Sequence, residues 1–272
     1  MSVRALDRSL VAALALGALA TGCIVTPSGR TQLALYPEAT LEAQATALYD
    51  DMLANQPISQ DETARNLVLC VSNAITSTLP AGSPQYWQVT VFEDDTANAF
   101  ALPGGKIGVH TGLLRVADNP DQLAAVIGHE IAHVLERHAN ARASNQAALE
   151  IAVSAGTEAV GAASDMSTAE VDALGQVFGL GAQYGAILPY SRSHESIADE
   201  FGLQLMATAG FDPRESVDLW RNMAAASQGQ PLEWMSTHPS HGTRIEQLSA
   251  EMPRAMELYR RAQEAGRRPH CS

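Results

Sequence analysis

Apolar residues recur at helical spacing over Leu41–Leu53 and over Glu62–Leu79, and the run from Pro80 to Pro84 breaks the second of these. Trp87–Phe92 then alternates, placing Trp87, Val89 and Val91 on one face, as a strand with one covered side requires. Asn98–Leu102 is predicted as a second strand, Pro103-Gly104-Gly105 as a turn and Lys106–His110 as a third strand. Asn119-Pro120-Asp121 has the makings of a helix start: a capping side chain, proline at the first helical position and an early acid for the helix dipole. The spacing predicts a helix from there to about Ala143. Residues 144–188 are rich in Ala, Gly and Ser, and Glu150, Glu158 and Asp165 interrupt their apolar stretches, which argues against a membrane span. A helical hairpin, or a cover over a site, is expected instead. Further helices are predicted over Ser193–Ala209, ended by Gly210, over about Pro213–Ala226 and over Thr243–Ala265. The order of elements predicts an α+β domain, mainly helical, built around a small sheet.

Composition narrows the function more than the fold. The formal net charge of −13 would repel phosphates, so no general nucleic-acid partner is expected. Arg4 and Arg8 precede an apolar stretch, Leu10–Ala20, that is short for a membrane span. It runs into Leu19-Ala20-Thr21-Gly22-Cys23, similar to a bacterial lipobox; a plain signal peptide or an anchor helix is the alternative. On the lipoprotein reading residues 1–22 are a signal peptide, Cys23 carries the lipid, residues 23–40 are a tether and residues 41–272 are the domain. Ile24, in place of aspartate after that cysteine, points to the outer membrane by analogy with lipoprotein sorting. Cys70 and Cys271 remain, and in an oxidising compartment they invite a disulfide closing a very long loop; two free thiols are the other reading.

The chemistry concentrates in Gly128-His129-Glu130-Ile131-Ala132-His133, an H-E-x-x-H pattern inside the helix that Asn119 opens. Four residues are just over one turn, so both imidazoles project from one face and can hold one metal ion. Glu130 lies about 100° round the helix, near enough to meet a metal-bound water without being a ligand. Two histidines leave zinc short of the usual three protein ligands. A metzincin would carry a further histidine at position 139, where this chain has alanine. The gluzincin solution takes a glutamate from a later helix, and Glu195 fits, with Asp199 one turn on to accept a hydrogen bond from a ligand histidine. His238, in Thr237-His238-Pro239, is open to three roles: proton donor or oxyanion stabiliser, fourth ligand holding the site latent, or a loop-structuring residue. His241 is a weaker candidate, and Arg244 is assigned to holding the loop by a salt bridge. His110, His138, His194 and His270 are read as structural or solvated, His138 because it falls off the chelating face of a continuous helix.

Four segments in order carry a resemblance: Asn98–Gly105, the H-E-x-x-H helix, Ser191–Asp199, and Ser236–Ser240 with Arg244. Together they resemble the HtpX and CAAX-prenyl-protease peptidase family, in particular its soluble periplasmic lipoprotein members of the LoiP kind, over about Leu41–Leu248. The resemblance implies a zincin-like fold, one zinc ion held by His129, His133 and Glu195, and Glu130 as general base. It also implies that Asn98, Ala99 and Phe100 form an edge strand that binds substrate backbone beside the zinc. The expected activity is that of a zinc metalloendopeptidase acting on unfolded or misassembled envelope polypeptides, lipid-anchored at the periplasmic face of the outer membrane. A chaperone-like zinc protein that binds envelope proteins but cuts rarely, and a structural zinc lipoprotein, are the alternatives. The intact Glu130 speaks against both.

Overall fold

A computed structural model describes residues 22–163, 167–182, 188–227, 235–236, 238 and 243–272. The chain opens with an antiparallel hairpin, β1 (Cys23–Val25) and β2 (Thr31–Leu33). Helices α1 (Glu38–Asn55) and α2 (Glu62–Thr76) follow, the second capped by Asp61, whose carboxylate accepts from the backbone of Thr63 and Ala64. A three-stranded sheet comes next: β3 (Gln88–Phe92), β4 (Ala99–Leu102) and β5 (Lys106–His110). Its order is β3-β5-β4, with β3 parallel and β4 antiparallel to the central β5, so β4 is an edge. Helices dominate the remaining described residues: α3 (Pro120–Leu135), α4 (His138–Ala163), α5 (Thr168–Ala182), α6 (Leu188–Ala209), α7 (Glu215–Ala226) and α8 (Arg244–Glu264). This is the α+β, mainly helical architecture that the order of elements predicts, and it agrees with the zincin-like fold that the resemblance implies.

Helix α3 lies at the centre. Asn119 caps it by accepting from Gln122 N–H at 2.9 Å, and Pro120 fills the first turn. Leu123, Ala124, Val126, Ile127, Ile131 and Ala132 are buried almost completely, because α2, α6, α7 and β4 cover α3 on different sides. α6 packs closest, at a pair of glycines. A Cβ on Gly128 would come within 2.8 Å of Gly202 O, and one on Gly202 within 2.7 Å of His129 N. Only hydrogen fits between the two backbones there. This approach brings Glu195 and Asp199, two turns and one turn before Gly202, against the histidines of α3. Cys70 of α2 is bonded to Cys271, their Cα atoms 5.5 Å apart, which fixes the C-terminal tail to the core. Among the described residues no helix is long and apolar enough to cross a membrane.

Two expectations change. The helix predicted to run to about Ala143 stops at Leu135, and a new one starts at His138. Between them Arg137 adopts φ 52°, in the left-handed region, so the chain turns a corner. Residues 23–40, expected as a tether, instead form the β1–β2 hairpin and the start of α1, docked on that corner. Ser28 donates to the Glu136 carboxylate from its N–H (2.9 Å) and its hydroxyl (2.7 Å), and Gln32 donates to Glu136 O. Asn140 exchanges hydrogen bonds with the Tyr36 backbone, and Leu35 N–H donates to Ser144 Oγ at 2.7 Å. Glu136, Asn140 and Ser144 are buried polar residues, and the hairpin satisfies them. Within residues 144–188, α4 and α5 pack on each other as a helical hairpin.

Candidate metal centre

His129 and His133 project from one face of α3 toward Glu195 of α6 and His238, which lies just before α8. One donor atom from each of the four falls within 4.8 Å of all the others. The separations are even: His129 Nε2 to His133 Nε2, 3.0 Å; His129 Nε2 to His238 Nδ1, 3.2 Å; and the Glu195 carboxylate to the three rings, 3.0–3.5 Å. Four donors bound tetrahedrally to zinc at ordinary lengths stand about 3.3 Å apart. Glu195 Oε1 is buried and makes no close hydrogen bond among the described residues, His133 Nε2 standing 3.5 Å from it, as suits an atom that faces a shared cation. Nitrogen and carboxylate donors of this kind suit zinc, and the residues fit one zinc ion.

Behind the donors stands a charged support. Asp199 Oδ1 pairs with His129 Nδ1 at 2.9 Å, leaving Nε2 of that ring for the centre. Arg244, from the first turn of α8, pairs with Asp199 at 2.6 Å and donates to Glu195 Oε2 at 3.3 Å, while its guanidinium stacks 4.1 Å over Trp220. Burial alone would discharge His129, but the hydrogen bonds and charges of Asp199 and Glu195 overcome it and push the pKa up to about 9. Burial likewise works against the Glu195 anion, yet hydrogen bonds from His129, His133 and His238 hold that carboxyl far below the usual range. For His133 burial wins, aided by the charge of His129, and its pKa falls. Metal-free, the centre therefore holds a proton on His129 where a cation would sit.

Sequence-predicted residues are distributed as follows. His129, His133, Glu195 and His238 meet at one point; Asp199 and Arg244 lie directly behind them. Glu130, nearly fully buried, places Oε1 3.5 Å from His238 Nε2. A groove of about 220 Å³ runs past Glu130, His133 and His238, with Phe100, Ala101 and Leu102 of β4 as its other wall. Ala99 is buried and Asn98 precedes the strand, its carbonyl accepting from His110 N–H. Cys23 is exposed at the start of β1. His110 and His194 are buried, His270 is exposed, and His241 lies outside the described residues. His138 is buried, within the structural reading, but it does not fall away from the chelating face: its Nδ1 stands 2.8 Å from His133 Nδ1. Helical periodicity could not find it, because no Gly or Pro marks the corner at Arg137.

An H-E-x-x-H helix, an acidic donor from a later helix and an edge strand along the groove define a zincin-like metallopeptidase domain. Residues 62–252 match the model of peptidase family M48, and the chain belongs to that family. It is 40% identical to the mitochondrial metalloendopeptidase OMA1 of Schizosaccharomyces pombe over 171 residues, covering 62% of this chain and 48% of that protein. It is 34% identical to the human OMA1 metalloendopeptidase over 239 residues, 85% of this chain and 44% of that one. It is 29% identical to the beta-barrel assembly-enhancing protease of Yersinia pestis over 212 residues, 75% of this chain and 40% of that one. The chain thus spans less than half the length of these relatives.

Proposed function

We propose that the chain is a zinc metalloendopeptidase that cuts unfolded or misassembled envelope polypeptides. On this reading His129, His133 and Glu195 hold the metal and Glu130 is the general base. The observation that carries the reading is the position of Glu130: on the donor helix, beside the groove, yet outside the cluster of His129, His133, Glu195 and His238. A purely structural metal site has no use for a carboxylate there. A zinc ion bound at the centre supplies Lewis acidity, polarising a peptide carbonyl and bringing a water's pKa toward neutrality. Glu130, beside the groove, would serve as the general base that takes a proton from water and hands it to the leaving amine. The extended substrate adds a strand beside Asn98, Ala99 and Phe100, so recognition rests on backbone and sequence specificity is weak.

A second reading is favoured by His238. Its Nδ1 lies 3.0 Å from Glu195 Oε2 and 3.2 Å from His129 Nε2, the corner that a reacting water needs. In this arrangement His238 would be a fourth donor and the enzyme latched; turned away from the centre, His238 would serve as an oxyanion stabiliser. Lipid attachment at Cys23 and a place on the periplasmic face of the outer membrane, as in the LoiP branch, are supported by the lipobox-like Leu19–Cys23 segment. The match to the Yersinia protease supports an envelope role.

The test measures zinc content and casein cleavage for wild type, Glu130→Gln and His238→Ala. Wild type should hold about one zinc per chain and cut, while Glu130→Gln keeps metal and loses cleavage. Activity seen only in His238→Ala identifies the latched form. Metal without cleavage in any variant would leave a binding protein, and no metal at all would end the site assignment.

A further inference from the structure

His138 stands outside the donor cluster, yet it touches one of its members. Its Nδ1 lies 2.8 Å from Nδ1 of His133, on the side of that ring opposite Nε2, which faces His129 and Glu195. Two ring nitrogens at hydrogen-bond distance share one proton between them. With Nε2 of His133 given to a metal, the proton of that neutral ring sits on Nδ1, so His138 accepts there and carries its own proton on Nε2.

The contact exists because of the corner. Five residues along an unbroken helix turn about 500°, which would carry residue 138 about 140° away from His133. The left-handed Arg137 turns it back, and the Glu136 bonds to Ser28 and Gln32 hold the corner from outside. On its other side the His138 ring stacks on His194, centroids 4.1 Å apart and planes 15° from parallel, next to donor residue Glu195. His138 is 1% exposed, and its Nε2 has no hydrogen-bond partner among the described residues. A buried N–H left this way is destabilising, a cost that an apolar ring of the same shape would avoid. Packing alone does not account for a histidine here.

We propose that His138 is a positioning residue: it accepts the Nδ1 proton of His133 and fixes the tautomer and ring plane in which His133 meets the metal. This rests on the zinc reading above. Asp199 plays the corresponding part for His129, so the two ligand histidines have unlike supports, one a carboxylate and one a neutral imidazole. A carboxylate at 138 would add a further buried acidic group to Glu130, Glu195 and Asp199. An imidazole orients its neighbour without that charge.

The experiment compares zinc affinity, by competition with a chromogenic chelator, in wild type, His138→Phe, His138→Asn and His133→Ala. Phenylalanine keeps the ring and its stack on His194 but cannot accept; asparagine places a carbonyl oxygen near the position of Nδ1. Affinity should fall about 10–100-fold in His138→Phe and return most of the way in His138→Asn. Thermal melts of the metal-free proteins should show His138→Phe folded. Wild-type affinity in His138→Phe, or an equal loss in His138→Asn, overturns the proposal. If wild type and His133→Ala bind zinc alike, the metal-site reading itself fails, which is a distinct result. Long-range nitrogen–proton NMR of the zinc-loaded wild type decides without any variant. His138 must show an unprotonated Nδ1 and His133 a protonated one; the reverse assignment overturns the proposal.

Discussion

Arg244→Met tests the electrostatic support of the centre. Methionine matches the length of the arginine stem but removes the guanidinium charge that, beside His129, faces both Asp199, at 2.6 Å, and Glu195, at 3.3 Å. Both carboxylates are shielded from water, with side chains 7% and 1% exposed. Deleting one partner of a buried ion pair costs about 3–5 kcal/mol, because the other charge stays buried without compensation. Loss of the guanidinium over Trp220 adds about 1 kcal/mol. A total of about 5 kcal/mol is therefore expected for the metal-free protein. In a chain of this size that lowers Tm by about 10–20 °C. Zinc, doubly positive and in contact with Glu195, should offset part of the defect, so the difference between variant and wild type narrows when metal is saturating. Arg244→Lys keeps the charge and loses the planar fork, and should fall between the two. The assay is urea unfolding followed by circular dichroism, with chelator and with excess zinc. A loss below about 1 kcal/mol in the metal-free protein, typical of an exposed pair, would refute the claim that Arg244 neutralises this centre.

Gly202→Ala in an open helix would gain about 1 kcal/mol. Here its Cβ would come within 2.7 Å of His129 N, so a loss of about 1–3 kcal/mol and weaker zinc binding by calorimetry are expected; a stabilised variant would refute the close helix contact. Metal-free protein should lose stability as pH rises. The His129 pKa is raised from 6.5 to about 9, so its contribution is fully present below 6.5 and disappears through about 9. Thermal melts across that range should fall with chelator and stay flatter with zinc. Breaking the Cys70–Cys271 bond, which spans 201 positions of sequence, should cost about 2–5 kcal/mol; an unchanged urea midpoint in Cys70→Ala/Cys271→Ala would deny the bond a stabilising role.

What was legible in the sequence was whatever a local period encodes. Asn119 and Pro120 start α3, and the spacing of His129 and His133 then fixes their common face, because within one helix four residues have only one geometry. Glu195 and Asp199 were legible for the same reason, as one face of a second helix. What places that face against α3 is the glycine pair at 128 and 202, a contact between segments far apart in the chain that no period reveals. The corner at Glu136–Arg137 was illegible for a different reason. Its residues favour helix, and the period predicts that α3 continues; the turn is stabilised by Ser28 and Gln32, more than a hundred residues earlier. Local propensity and tertiary hydrogen bonds conflict there, and the tertiary bonds win because Glu136 is buried and must be satisfied. The same conflict hid the hairpin, since Val25, Leu35 and Tyr36 stay exposed and residues 23–36 are held by polar partners on the corner rather than by a hydrophobic stripe. Local preference is overruled next to the metal centre, where the chain must bring a residue from the wrong side of a helix to face His133.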